Sequence, residues 1–159
     1  MKSPTRLAAA TGAVVAAVAF GSTAALASGS SSDHRKNDDP ILRASVVGSM
    51  TDDPVLFGVS PGGKPWVIDE GKVRLWRDGS LRVEVEGLVI PGVGNPVPQL
   101  SASVVCGGAV VDRTSPVAFD TMGDARIRAK VMLPDRCLAP VVLLNPNDAA
   151  AAYIGVSGG

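Results

Sequence analysis

Lys72-Val73-Arg74-Leu75-Trp76-Arg77-Asp78-Gly79-Ser80-Leu81-Arg82-Val83-Glu84-Val85-Glu86 reads as a β-hairpin. Apolar and charged residues alternate on both sides of Asp78-Gly79, the period of strands with one face in a core. Two registers compete. A two-residue loop at Asp78-Gly79 sets Leu75 opposite Arg82 and mixes apolar with charged residues along the ladder. A three-residue loop, Arg77-Asp78-Gly79 with Gly79 in the left-handed region, sets Leu75 opposite Leu81 and Val73 opposite Val83. Only the second gives one apolar face, so it is the register predicted. The other face then carries Lys72, Arg74, Trp76, Arg82, Glu84 and Glu86. Lys72 stands across from Glu84, and Arg74 faces Arg82, a repulsion that Glu84 or Glu86 is expected to screen diagonally.

The same pattern extends outward from the hairpin. Strands are predicted at 44–50, 55–59, 66–68, 72–77, 80–88, 99–106, 109–112, 117–119, 125–133, 140–144 and 152–156. Short Val-rich runs separated by Gly and Pro about every eight to twelve positions indicate an all-β fold, an antiparallel β-sandwich or a partly closed barrel, rather than alternating βαβ units. Asp148 followed by Ala149 to Ala152 is a helix-start pattern too short to be more than a turn. Residues 41–159 form a single β-sandwich domain, of a size that supports one core.

Upstream, Lys2 and Arg6 precede an apolar run from Leu7 to Phe20, and Ala25-Leu26-Ala27 closes the stretch. A positive start, an apolar core of about 7 to 15 residues and an A-x-A site describe a signal peptide, residues 1–27, cleaved after Ala27. The run is interrupted by Thr11, Gly12, Gly21, Ser22 and Thr23, which argues against a membrane anchor. The mature chain is therefore expected to be secreted, extracellular and without a membrane partner. Residues 28–40 contain no apolar side chain beyond Pro40 and read as a disordered polar linker. His34, the only histidine, lies within it.

Cys106 and Cys137 are the only cysteines. In an exported chain a pair of this kind is expected to form a disulfide, since a reactive thiol calls for a neighbouring His or a C-x-x-C arrangement.

Little catalytic chemistry is written in residues 41–159. Without a histidine there is no Ser-His-Asp or Cys-His machinery and no zinc site of the usual His and Cys types. Gly92-Val93-Gly94-Asn95 lacks the spacing and the Lys of a phosphate-binding loop. Asp38-Asp39-Pro40, Asp52-Asp53-Pro54 and Asp69-Glu70-Gly71 are acidic pairs ahead of Pro or Gly, ordinary turn residues without a calcium-loop pattern. No catalytic residue, metal or cofactor is assigned. Loss of Lys2 and Arg6 with the leader takes the formal net charge from 0 to −2, so no global field steers the protein to nucleic acid.

Two surface features stand out. Arg126, Arg128 and Lys130 alternate with Ala125, Ile127, Ala129 and Val131, which puts all three cations on one strand face. Trp76, on the polar face of the hairpin, offers a plane on which a sugar or side chain can stack. Together they are the candidate ligand-binding surface, and the matching partner is an anionic polymer of the cell wall or extracellular space.

Val104-Val105-Cys106-Gly107-Gly108, Gly123-Asp124-Ala125-Arg126-Ile127, the run Leu133-Pro134-Asp135-Arg136-Cys137-Leu138-Ala139-Pro140 and the closing Tyr153-Ile154-Gly155-Val156-Ser157-Gly158 resemble a group of uncharacterised small secreted β-sandwich-like proteins of actinobacteria. The resemblance covers the chain from Ala44 onward. It rests on turn and core residues, and it implies an extracellular location and a β-sandwich-like domain while carrying over no catalytic residue. The expectation is a secreted non-enzymatic binding or structural domain at or outside the cell surface. The competing expectation is an extracellular, glycosidase-like hydrolase acting through a carboxylate pair brought together by the fold.

Overall fold

The computed structural model describes residues 39–158. The expected signal peptide, all but the last two residues of the linker, and His34 lie outside the described residues.

Eleven strands make up the domain: β1 (Leu42–Gly48), β2 (Ser60–Pro61), β3 (Glu70–Leu75), β4 (Ser80–Glu86), β5 (Gln99–Cys106), β6 (Ala109–Arg113), β7 (Val117–Ala118), β8 (Ala125–Lys130), β9 (Val141–Pro146), β10 (Ala152–Tyr153) and β11 (Gly155–Gly158). The main sheet runs β6-β5-β9-β11-β1-β3-β4-β8, with β7 added on β5, and all of its pairings are antiparallel. It curls until β7 and β5 approach β8, forming a half-barrel, the partly closed form of the two arrangements expected. β2 and β10 form a separate two-stranded parallel sheet.

The hairpin adopts the predicted register, with Leu75 opposite Leu81, Val73 opposite Val83, Lys72 opposite Glu84 and Arg74 opposite Arg82. Gly79 takes φ +83° in the three-residue loop. A Cβ there would collide with the Val131 carbonyl, so both the turn and the close approach of the neighbouring chain require glycine. Asp78 completes the turn by accepting the Ser80 N–H (3.0 Å) and the Ser80 hydroxyl (2.8 Å).

The core fills the concave side. Val73, Leu75, Leu81, Val83, Val85, Ile127, Leu100, Ala102, Val104, Val142 and Leu144 meet there, and Trp66 stacks on Phe119 with ring centroids 6.5 Å apart. Each of these strands sends alternate residues inward, as the period-2 pattern requires. β5 and β9 differ in being buried on both faces. Their convex side is capped by Val59, Tyr153 and the half-buried Leu56 and Val156, which pack on Val105 and Leu143. The disulfide joins Cys106, at the end of β5, to Cys137 in the connection from β8 to β9.

Three expected strands take other forms. Residues 55–59 form a tight turn in which Phe57 (φ +52°) and Gly58 (φ +82°) sit between Leu56 and Val59, whose backbones bond each other at 2.9 and 2.8 Å. Two successive positive φ values reverse the chain and leave no room for a strand. Residues 66–68 contribute a single bridge, Val67 to Val89. The stretch 152–156 breaks at Ile154: β10 pairs with β2, and β11 returns to the main sheet. Residues 148–152 form turns closed by Ala149 and Ala152 N–H groups, as expected.

Candidate functional site

The convex face of β1, β3, β4 and β8 is rich in charge, and strand register decides which side chains adjoin. Arg43 of β1 stands opposite Arg74 of β3, Arg74 opposite Arg82 of β4, and Arg82 opposite Arg128 of β8. Four arginines thus form one row across four neighbouring strands. Adjacent strands lie about 4.8 Å apart, so the row spans roughly 14 Å. Val73, Val83 and Ile127 point to the core, which fixes the arginines outward; Arg43, Arg82 and Arg128 are exposed and Arg74 is half-buried.

Rows on either side are compensated. Toward the hairpin turn, Lys130 makes an ion pair and hydrogen bond with Asp78 at 2.7 Å. That bond, with the two from Ser80, pulls the Asp78 carboxyl down to about 2. Away from the turn, Ser45, Lys72, Glu84 and Arg126 stand side by side, and beyond them Glu70 faces Glu86. Lys72 pairs with Glu70, whose hydrogen bond is the first cause raising the Lys72 ammonium above its ordinary value; the Glu70, Glu86 and Glu84 charges raise it further.

Among the described residues, none of the four row arginines takes part in an ion pair. The carboxylate screening expected for Arg74 and Arg82 is not made by direct pairing. Instead the Arg82 guanidinium lies over the Trp76 ring, 5.7 Å from its centroid, a cation–π contact that holds the fork at the surface. Like charges directly opposite on a sheet are destabilising. The row therefore costs stability.

The residues singled out from sequence are distributed as follows. Arg126, Arg128 and Lys130 do share the outer face of β8, exposed in alternation with Ala125, Ile127 and Ala129. Trp76, Arg128 and Lys130 line one open hollow of about 350 Å³ with Ser80 and Arg82. Arg126 is separated from it, opposite Glu84 and beside a different hollow of about 410 Å³ that also meets Glu86, Asp120 and Asp124. Cys106 and Cys137 are joined, as expected. Sequence reasoning placed Arg74 opposite Arg82 but did not find Arg43 or the alignment of Arg128. Both depend on pairings between strands distant in the chain, and only the outward phase of each residue was available as a signal.

Of the carboxylates of the second hollow, Asp120 and Asp124 are occupied by backbone. Asp120 Oδ1 accepts the Met122 and Asp124 N–H groups at 2.9 Å each, and Asp124 Oδ1 accepts the Gly87 N–H at 2.9 Å. Asp53 likewise accepts the Met50 N–H at 2.7 Å. Among the described residues no three or more His, Cys, Asp or Glu side chains converge as a metal cage requires. Comparison with family models, curated proteins and solved structures returns no match.

Proposed function

We propose that this chain is a secreted, non-enzymatic binding domain that holds an extracellular anionic polymer on the convex face of β1, β3, β4 and β8. The observation that carries this reading is the row Arg43, Arg74, Arg82 and Arg128, four adjoining guanidinium groups without an ion-pair partner among the described residues. Arginine forks match carboxylate and phosphate oxygens two at a time. The leader-like start and the disulfide support a place of action outside the cell. The glycosidase-like alternative has less support: Asp120 and Asp124 serve as backbone acceptors, and in the small hollow lined by Glu70, Glu84 and Glu86 the remaining lining residue, Lys72, is ion-paired with Glu70.

Exposed contacts of this kind contribute at most about 1 kcal/mol each and are screened beyond roughly 10 Å at 0.1 M salt. Binding to isolated cell-wall fragments is expected at low ionic strength and to weaken steeply as salt is added. Replacing the four row arginines with Gln together is expected to abolish it while the circular dichroism spectrum stays unchanged. Equal binding by parent and variant, or no binding by the parent at low salt, would overturn the reading.

A further inference from the structure

The direction in which charge runs out on this face specifies more than affinity for anions. Along β4 the outward residues are Ser80, Arg82, Glu84 and Glu86, and along β3 they are Arg74, Lys72 and Glu70, with Trp76 just past its end. A polyanion lying parallel to β4 leaves Arg82 within two residues, about 7 Å, and passes onto Glu84; along β3 it passes from Arg74 to Lys72, already paired with Glu70, and then onto Glu70 itself. β8 alone carries three cations in a line, yet Lys130 is bonded to Asp78 and Arg126 stands opposite Glu84. Perpendicular to the strands the picture reverses: Arg43, Arg74, Arg82 and Arg128 succeed one another with no carboxylate between them. An open groove of about 630 Å³ over β1 and β3, meeting Arg43 and Arg74, adjoins that path at one end; the hollow holding Arg82, Arg128 and Trp76 adjoins it at the other.

The step of the row, one cation per strand at about 4.8 Å, restricts the ligand further. An extended sugar chain with a carboxylate on every ring advances by about one such step per ring, whereas phosphate groups linked through polyol spacers are set farther apart and skip strands. Planar carboxylates also accept both N–H groups of a guanidinium fork. Building on the binding role above, we propose that the occupant is a polyuronide-type acidic polysaccharide, laid across the strands and read one sugar per arginine over four residues.

The test is a calorimetric titration of the full chain at low salt with oligogalacturonates of increasing length, set beside glycerol-phosphate oligomers of equal charge. Affinity for the uronides should climb with each ring up to four and then level off. Arg43→Gln or Arg128→Gln, at the row ends, should move the plateau to three rings. Arg74→Gln, in the middle, should weaken every oligomer of three or more rings about three- to fivefold. Arg126→Gln, off the row, should leave the plateau where it is. The inference is overturned if affinity keeps rising past four rings without a break, if Arg126→Gln shifts the plateau as Arg128→Gln does, or if the glycerol phosphates bind more tightly. That last result would still uphold an anion-binding face, whereas failure of both oligomer series to bind removes the face itself.

Discussion

One sheet presents two convex surfaces of opposite chemistry. Over β5 and β9 the outward residues Ser101, Ser103, Val105, Leu143 and Asn145 are all buried. Every polar atom there is matched: Ser103 Oγ donates to Asn145 Oδ1 at 2.7 Å, Asn145 Nδ2 to the Ala152 carbonyl at 2.7 Å, and Ser101 Oγ to the Asn147 carbonyl at 2.8 Å. Over β1, β3, β4 and β8 the described residues form no such apolar cap, and most of the outward residues are charged. The covered half has its hydrogen bonds completed internally, as burial demands. On the charged half the row guanidinium groups have no ion-pair partner among the described residues, and the proposed ligand would supply one. Capping, rather than strand type, separates the part of the sheet that holds the domain together from the part proposed to recognise a partner.

That division predicts unequal responses to substitution. The largest is expected where the disulfide ties the end of β5 to the segment leaving β8. The bridge closes a separation of 31 residues, and Cys106→Ser should cost about 3 to 4 kcal/mol in the chain-entropy account. In a domain of this size that is a fall of more than 10 °C in Tm, roughly; a fall of only a degree or two would show that the two halves do not need the tie. Next, Leu143→Ala beneath Tyr153 should cost about 3 kcal/mol by opening a cavity in the cap. Asn145→Ala should cost about 2 kcal/mol, because it strands the Ser103 hydroxyl and the Ala152 carbonyl. Denaturant midpoints check both, and near-neutral values would mean that the cap is not dry.

On the charged half the sign should change. Arg74→Thr removes a cation lying between Arg43 and Arg82 and supplies a residue suited to strands. It should stabilise the free protein by up to about 0.5 kcal/mol while weakening binding, a trade of stability against function. A destabilised variant would show that the row is not under repulsion. The smallest effect belongs to the turn. Asp78 is held down to about 2 by Lys130 and Ser80, so its contribution to folding is complete above the ordinary carboxylate range near 4 and is lost as pH falls through about 2. Carbon-detected NMR should find its midpoint there, and Lys130→Gln should return it toward 4. An unchanged midpoint would separate the turn from β8.

Sequence alone determined what is local. The Lys72–Glu86 hairpin followed from alternation and from one glycine, because a slip by one residue would have exposed Leu75, Val73, Leu81 and Val83 together. The outward phase of Arg126, Arg128 and Lys130 followed in the same way. Tertiary structure decided what depends on distant pairing. Ser101 and Ser103 alternate like a solvated face, and only the return of segments carrying Val59 and Tyr153 onto this side of β5 and β9, with Asn145 of β9 bonded to Ser103, makes that face interior. The chain reversal at Phe57-Gly58 overrode an apolar run that alternation had read as a strand. The arginine row depends on β1 pairing with β3 and β8 with β4, registers set by which core residues meet across the half-barrel. Side-chain phase is a property of each strand, whereas neighbours across strands are a property of the sheet, and no local pattern contains the offset between one strand and another far along the chain.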